Sequence, residues 1–462
     1  MPGLHFDMME RCDTGPRVRE ADFDNAIFPK VTELAEKYEI KYDPEHVVAS
    51  DDDLADRLFA AGMEMAVFQG LWVLDTQKVV KFSEPEIWRY LENYHTHQVL
   101  GYGKDQVILE PRKPESDVKA LVFGGGAGSS MTEGEVYTKH MMNFALEPTV
   151  DLIANGNPAY IEGREIRPFS PLETHGAIQE VGWIREAIRR AGRPGMPIVA
   201  APGCAASAPP AVAIINEERG LRKGDFIYAA LLTELKSDYD RLIRAVAAVE
   251  QGINVCTLLA PMIGGWAGGP EGAAICGVAA TLLAAICHTS TLVVHHPVHM
   301  SLKNGATTHR QTLWVESVVG QAVSLNSTFP IGQNIFLDAR AGTYEILWEG
   351  AANAITAVSS GQHVGPGPSG VTGGDDIDMI SGVEMRIIGE TTRAVTGMDR
   401  KTSNEIVKKC LAKYEPTLGK PPKGKTMQEL YDFEKLTPKE EWLSMFEEVK
   451  AELKDWGVPF KY

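Results

Sequence analysis

Three histidines close together in the sequence are the first candidates for chemistry in this chain. His295, His296 and His299 lie in the segment HHPVHM, which directly follows a short apolar run. Histidine is the side chain that most readily moves a proton near neutral pH, and it is the commonest metal ligand. The segment predicts a binding or catalytic role, with His296 and His299 as acids and His295 at the substrate. The alternative for each ring is a hydrogen-bonded place in the core.

Glu234 is the candidate carboxylic acid, and it follows the apolar run FIYAALLT. An acid at this point either acts on a ligand or stabilises the first turn of the next helix. With Cys204, His296 and His299 it would supply zinc ligands of suitable types. The spacing of these four residues matches no zinc motif, so the sequence leaves open whether a metal is bound.

Two further segments carry side chains that bind small molecules in many proteins. Gln333 and Asn334 offer amide donors and acceptors, or form a turn. Trp266, between the glycines of GGWAGG, would either close over a flat ligand or pack across the end of the fold. The segment GGGAGSS at 124–130 lacks the lysine of a P-loop and does not match GxGxxG, which favours a tight turn over a nucleotide site.

Short apolar runs alternate here with amphipathic segments of helical length, a pattern typical of repeated βα units. The predicted strands are 121–124, 150–154, 197–201, 226–231, 254–259, 292–294, 329–333 and 363–365. The helices predicted after them are 133–146, 172–191, 205–216, 237–250, 270–288, 309–326, 342–359 and 377–395. Eight such units predict a TIM (β/α)8 barrel, while a doubly wound sheet, the alternative, usually has fewer units. Active sites of TIM barrels lie at the carboxyl ends of the strands, which the candidate residues follow.

The chain divides into three predicted parts. Residues 1–117 form an N-terminal helical extension, residues 118–400 the barrel, and residues 401–462 a C-terminal helical extension. Helical patterns in the two extensions cover 23–38, 52–70, 84–94 and 438–456.

The charge balance limits the partners of the protein. The chain has 462 residues, with 45 Lys and Arg, 62 Asp and Glu, and a formal net charge of −17. Because nucleic acids and anionic membranes are bound mainly through basic side chains, this balance argues against both. We recognise no membrane-spanning run, no signal peptide and no CxxC pair among the six cysteines, so we expect a cytoplasmic protein with reduced thiols.

Several segments resemble the archaeal monomethylamine:corrinoid methyltransferases, from about residue 50 to the C-terminus. In the family's order and nearly its spacing they are AGRPGM (191–196), TELKSDYD (233–240), GGWAGG (264–269), PVH (297–299), GVEMRIIGETTRAVTG (382–397) and GKTMQELYDFEKLTPKEEW (424–442). The resemblance implies a TIM barrel, often in a homo-oligomer, that passes a methyl group to the cobalt of a separate corrinoid protein. Gly268 and Gly269, next to Trp266, are then expected on an open rim that receives the corrinoid.

The sequence departs from this family where the methylamine enzymes carry pyrrolysine, whose imine holds the amine. Here the segment after AGRPGM is PIVAAPG, with aliphatic Val199, Ala200 and Ala201 at the equivalent positions. Tyr228 and Leu258 stand where the family has two acidic residues. Since an apolar side chain cannot polarise an amine, we expect no use of monomethylamine by the family's chemistry.

A larger, more apolar pocket lined by Tyr228, Leu258 and Phe336 suits an aromatic methyl donor. Relatives without pyrrolysine are associated with the demethoxylation of aromatic compounds, so O-demethylation is the predicted reaction. Other methylated amines, quaternary ammonium compounds and thioethers are the alternative donors. A binding barrel that has lost catalysis and a metal-dependent hydrolase are the alternative classes, although the titratable groups HHPVH and Glu234 argue against a dead site.

Overall fold

Eight parallel strands close into a barrel in which neighbours in sequence are neighbours in space and the last strand pairs with the first. They are β1 Val122–Gly124, β2 Leu152–Ala154, β3 Ile198–Ala200, β4 Phe226–Tyr228, β5 Asn254–Leu259, β6 Leu292–His295, β7 Ile331–Gln333 and β8 His363–Gly367. The computed structural model describes residues 2–94, 97–126, 128–200, 207–302, 304–368, 370 and 376–461, with 2–5 by their backbone only. The closed barrel confirms the predicted TIM (β/α)8 fold.

One helix follows each barrel strand, and further helices precede and follow the barrel. The helices are α1 Pro2–Thr14, α2 Glu20–Lys37, α3 Asp52–Gln69, α4 Glu84–Glu92, α5 Glu135–Ala145, α6 Pro171–Arg190, α7 Ala208–Ala213, α8 Tyr239–Glu250, α9 Pro270–Cys287, α10 Arg310–Asn326, α11 Tyr344–Ser359, α12 Gly382–Ala394, α13 Arg400–Tyr414, α14 Met427–Leu430 and α15 Glu440–Asp455. Helices α5 to α12 follow β1 to β8 in turn, as predicted, with α7 and α12 shorter than predicted.

Short strands outside the barrel form small sheets of two or three strands and were not predicted. The pairs are Leu71–Val73 with Lys78–Val80 and with Lys236–Ser237, Gln98–Leu100 with Val107–Leu109, Ser130–Met131 with Asn157–Pro158, Tyr160–Ile161 with Arg164–Glu165, Met262–Ile263 with Val298–His299, and Tyr431–Asp432 with Thr437–Pro438. Two single-turn 3-10 helices lie at Gly103–Asp105 and Glu415–Thr417.

The inward-facing side chains of the strands form one apolar cluster, which we call the barrel interior. Its members are Leu121, Phe123, Leu152, Val199, Phe226, Tyr228, Cys256, Leu292 and Val294, packed with Leu258. Leu100 and Leu109, from the hairpin over 98–109, are buried in the same cluster. The backbone N–H of Tyr102 donates to the carbonyl of Gly195, just before β3. The hairpin therefore fills the amino end of the barrel.

The two extensions cover part of the helix ring. Helices α2 and α3 lie against α9, and α3 also lies against α10. Helix α13 lies against α11, and α15 lies against α11 and α12. Within the described ranges α9 is the one helix with the length and apolarity of a membrane span, which inspection of the sequence missed. Because 94% of it is buried in the protein, it is a core helix whose all-round apolar character follows from its enclosure.

Helices α3 and α9 approach each other closely at Gly62, where an added Cβ would lie 2.3 Å from Cγ1 of Val278. We predict that Gly62→Ala lowers the free energy of unfolding by about 1–3 kcal/mol, because the methyl group forces the helices apart. Urea unfolding followed by circular dichroism measures this change.

The matched control is Gly182→Ala in α6, where nothing lies within 4 Å of the Cβ position. Loss of the glycine there should raise the free energy of unfolding by about 0.5–1 kcal/mol, because alanine loses less conformational entropy in a helix. Equal destabilisation by both variants would show that close packing at Gly62 is not the cause.

Candidate active site

The carboxyl ends of neighbouring strands bring uncharged side chains to one end of the barrel, which we call the mouth. Tyr228 ends β4, Leu258 lies in β5, His296 follows β6, and Asn334 and Phe336 follow β7. The rings of His296 and Phe336 meet edge to face, with their centroids 5.3 Å apart. These residues stand where TIM barrels place their active sites.

Both ring nitrogens of His296 are engaged within the protein. Nδ1 lies 2.6 Å from Nδ2 of Asn334, so the amide donates and the ring accepts. The ring also hydrogen bonds to the backbone of Gly305, and burial lowers the pKa of His296 to about 4. The imidazole is therefore neutral at pH 7 and lacks the mobile proton of a general acid. These contacts favour a role for His296 in positioning the mouth loops, and its role as a catalytic acid stays a prediction.

Two residues predicted to touch the substrate face the helices instead. Nε2 of His295 lies 2.9 Å from Oγ1 of Thr281 on α9, and burial lowers the pKa of His295 to about 3. Gln333 donates to the carboxyl group of Glu316 on α10 and to the side-chain oxygen of Asn353 on α11. His295 and Gln333 end their strands, and the alternation of side chains along a strand sends both outward. Their placement corrects the prediction, because they anchor strand ends to helices.

His299 is held by the start of α10. Its Nδ1 lies 2.6 Å from Oγ of Ser301, and its Nε2 lies 2.9 Å from Oε1 of Gln311. The ring stacks on His309, the N-cap residue of α10, with 4.2 Å between centroids. Burial lowers the pKa of His309 to about 4. These contacts favour a structural role for His299, whose catalytic role stays a prediction.

Glu234 lies in the loop after β4 as a buried carboxylic acid. Helix α8 begins only at Tyr239, with Asp238 as its N-cap, which excludes the alternative that Glu234 caps this helix. Oε1 of Glu234 accepts a 2.8 Å hydrogen bond from the backbone N–H of Met262, in the loop after β5. Desolvation raises the pKa of Glu234 to about 8, so the group carries its proton at neutral pH. This carboxyl group also lies near Asp24 on α2 and Cys276 on α9, and its role as a catalytic acid stays a prediction.

The segment GGWAGG lies in the loop after β5 and contacts the N-terminal extension. Trp266 is 48% exposed, in keeping with a place on the rim. Gly268 has a φ of +73°, and a Cβ there would lie 2.7 Å from Cε2 of Phe28 on α2. Gly269 is the N-cap residue of α9. The two glycines thus seat the loop against this chain's own helices, while their contact with a corrinoid stays a prediction.

The residues that the structure describes do not assemble the zinc site considered from the sequence. No group of three His, Cys, Asp or Glu among them is arranged to hold a metal ion. Glu234, His296 and His299 hydrogen bond to three different sets of partners. Cys204 lies outside the described residues.

A buried glutamate that sequence reasoning missed ties the mouth loops together. Glu349 on α11 accepts hydrogen bonds from the backbone N–H groups of Asp338 and Ala339, at 2.7 and 3.0 Å, in the loop after β7. It also accepts from Oγ1 of Thr308, at 2.7 Å, in the segment before α10. The signal that could have revealed it is an acid within the apolar helix segment LWEGAANAI at 347–355.

The segment Val199 to Ala201, expected from the resemblance to stand where the methylamine enzymes carry the imine, is described only in part. Val199 lies in the barrel interior, in register with Phe226 of β4. Ala200 packs outward among the helices, and Ala201 lies outside the described residues. The described members of the barrel interior carry no charge.

The raised pKa of Glu234 makes stability depend on pH. The pKa is about 8 in the folded protein against 4.5 ordinarily, so the folded state holds more protons between these values. The stabilisation is complete below pH 4.5 and is lost as the pH rises through 8. We predict that Glu234→Gln, which stays neutral, gains stability relative to the wild type by up to about 1.4 kcal/mol per pH unit over this range.

Urea unfolding of both proteins at several pH values between 5 and 8 measures this difference. Glu64→Gln is the matched control, because Lys37 and Lys30 hold the pKa of that carboxyl group at about 2. Its stability difference from the wild type should stay constant from pH 5 to 8. A constant difference for Glu234→Gln as well would contradict the protonated state assigned to Glu234.

Comparison with known proteins gives full-length matches in sequence and fold. The family model "Monomethylamine methyltransferase MtmB" matches residues 4–458. Monomethylamine methyltransferase MtmB2 of Methanosarcina acetivorans is 32% identical over 458 residues, and MtmB1 of Methanosarcina barkeri strain Fusaro is 32% identical over 460, each match covering 98% of both chains. The crystal structures of a hydroxylamine MtmB complex and of Methanosarcina barkeri MtmB superpose with TM-scores of 0.92 and 0.91, at 30% identity and 98% coverage of both chains.

The similarity extends over both extensions as well as the barrel, at an identity that exceeds what a shared fold alone would produce. The chain therefore belongs to the monomethylamine methyltransferase MtmB family of corrinoid-dependent methyltransferases.

Proposed function

We propose that this protein transfers the methyl group of a methoxylated aromatic compound to the Co(I) of a separate corrinoid protein. The single observation that carries the proposal is the barrel interior, whose described members, Val199, Tyr228 and Leu258 among them, carry no charge. The resemblance to the methylamine enzymes leads us to expect an imine and two acids in this region instead. This difference changes which donor the mouth can hold.

An uncharged interior disfavours a small ammonium ion. A cation moved from water into such a site loses its hydration, and no described side chain of the barrel interior offers a compensating charge. An aromatic ether carries no charge and loses little hydration free energy on the same transfer. Its ring also gains contact with apolar and aromatic side chains. Leu258 is half-buried and Phe336 lies at the mouth, so both are placed to contact such a ring.

The reaction requires the protein to position the methyl donor and to stabilise the oxygen that leaves. The methyl carbon must face the entering Co(I), in line with the bond to oxygen, and fixed orientation of this kind lowers a barrier substantially. The loops held by Glu349 supply rigid walls for that orientation. Glu234, protonated at neutral pH, lies in the loop after β4 and accepts a hydrogen bond from the loop after β5, so it helps to hold these two loops together.

Monomethylamine is the second candidate donor, because the relatives at 32% identity over nearly the full chain are named for it. Quaternary ammonium compounds and thioethers remain further alternatives, as does a barrel that binds a ligand without catalysis. A donor panel separates all of these.

We predict that purified protein methylates Co(I) cobalamin, free or on a corrinoid protein of the family, with 1,2-dimethoxybenzene as donor. Methylamine, tetramethylammonium and dimethyl sulfide should give no transfer above background, because no described side chain of the barrel interior offers a counter-charge and the contact area of these donors is small. Loss of the Co(I) absorbance measures the rate. Robust transfer from methylamine would contradict the proposal, and transfer from no donor would favour the binding barrel.

Variants at Leu258 test the same proposal on the protein side. Leu258→Glu restores a carboxylate where the family has one and should slow transfer from the aromatic ether roughly tenfold or more, because a charge beside the ring must be desolvated. Leu258→Met, the matched control, keeps volume and polarity and should stay within a fewfold of the wild type. Equal rates for the two variants would remove Leu258 from the pocket.

A further inference from the structure

The hydroxyl group of Tyr228 is buried and makes no hydrogen bond of normal geometry to the residues that the structure describes. Its oxygen is shielded from solvent, and no described residue accepts or donates a hydrogen bond of normal geometry there. The nearby thiol of Cys256 is a weak partner at best. A buried polar group left unpaired destabilises a folded protein, so a native structure that keeps one usually has a use for it.

The position of Tyr228 points to that use. It is the last residue of β4 and faces the barrel interior, one layer nearer the mouth than Phe226. It lies in register with Cys256, and Leu258 stands two residues further along the same neighbouring strand. The hydroxyl group is thus the polar atom of the barrel interior that lies among the side chains proposed to hold the donor's ring.

The other polar groups of the mouth are less suited to meet a leaving oxygen. The ring nitrogens of His296 bond to Asn334 and Gly305. The side-chain oxygen of Asn334 is also unpartnered, but it only accepts hydrogen bonds and would repel an anion. A hydroxyl group, in contrast, has a hydrogen to donate.

We propose that the hydroxyl group of Tyr228 donates a hydrogen bond to the donor oxygen that leaves during methyl transfer. The inference rests on the proposed function and assigns one residue to its bond-breaking step. Tyr228 is a catalytic residue in this proposal, because it contacts a reacting atom.

In that step the bond between the methyl carbon and the ether oxygen breaks, and its electron pair stays on the oxygen. The carbon bonds to the Co(I) acceptor, whose electron pair forms the new bond. The phenolate is stabilised by the hydrogen bond from Tyr228 and takes up a proton from water on release. Burial raises the pKa of Tyr228 well above its ordinary value, so the hydroxyl group keeps its own proton throughout.

The test is Tyr228→Phe, which removes only the hydroxyl oxygen. We expect about a 10²-fold lower rate of transfer from aryl methyl ethers, as for loss of one donor to a developing anion. The loss should grow as the leaving phenol becomes less acidic across a series of substituted anisoles. We also expect a Tm at or above that of the wild type, because an unpaired buried group is removed.

Tyr431→Phe is the matched control. Its hydroxyl group is likewise buried without a hydrogen bond of normal geometry, with Ser381 and Asn143 as its polar neighbours, but it lies in the C-terminal extension. This variant should share the unchanged or higher Tm and keep the wild-type rate. A purely structural role for Tyr228 would lower rate and Tm together, independently of the leaving group.

Two results would overturn the inference: a rate within twofold of the wild type, or a loss that does not vary with the acidity of the leaving phenol. Neither result contradicts the proposed function as long as the wild type still demethylates aryl ethers. If the wild type uses only donors without an ether oxygen, the proposed function fails, and the inference about Tyr228, which needs that oxygen, fails with it.

Discussion

Three hydrogen bonds to the buried carboxyl group of Glu349 hold the loops around the barrel mouth in one arrangement. They reach Asp338 and Ala339 in one loop and Thr308 in the segment that precedes α10. Without them the backbone N–H groups would be buried unpaired, which costs more than an exposed hydrogen bond gains. The site therefore depends on a residue that touches no substrate.

The same dependence continues through His296. Its ring joins the end of β6 to Asn334 after β7, and its edge rests on Phe336. Since burial holds the ring neutral, this bridge does not change over the neutral pH range. A mouth built in this way is rigid on the side of β6 and β7, while Tyr228 and Leu258 form its other wall.

The barrel could be predicted because its βα period is visible along the chain. We could not predict from the sequence in which direction the side chains at the strand ends point. Both faces of a parallel strand are buried, so the apolar runs show no alternation of apolar and polar residues. The sequence pattern therefore does not distinguish His295 and Gln333, whose side chains face helices, from Tyr228 and Leu258, whose side chains face the barrel interior. Glu349 was missed for a related reason, since its partners are backbone groups in loops that only the folded chain brings to it.

The hairpin at the amino end of the barrel, which inserts Leu100 and Leu109, has a consequence for the order of events. With that end filled, the methyl donor and the corrinoid protein must use one opening. The small molecule has to enter before the larger partner covers the mouth, and the demethylated product can leave only after that partner withdraws. In such an arrangement the binding and release steps follow a compulsory order. The turnover rate then cannot exceed the rate at which the corrinoid protein binds and leaves.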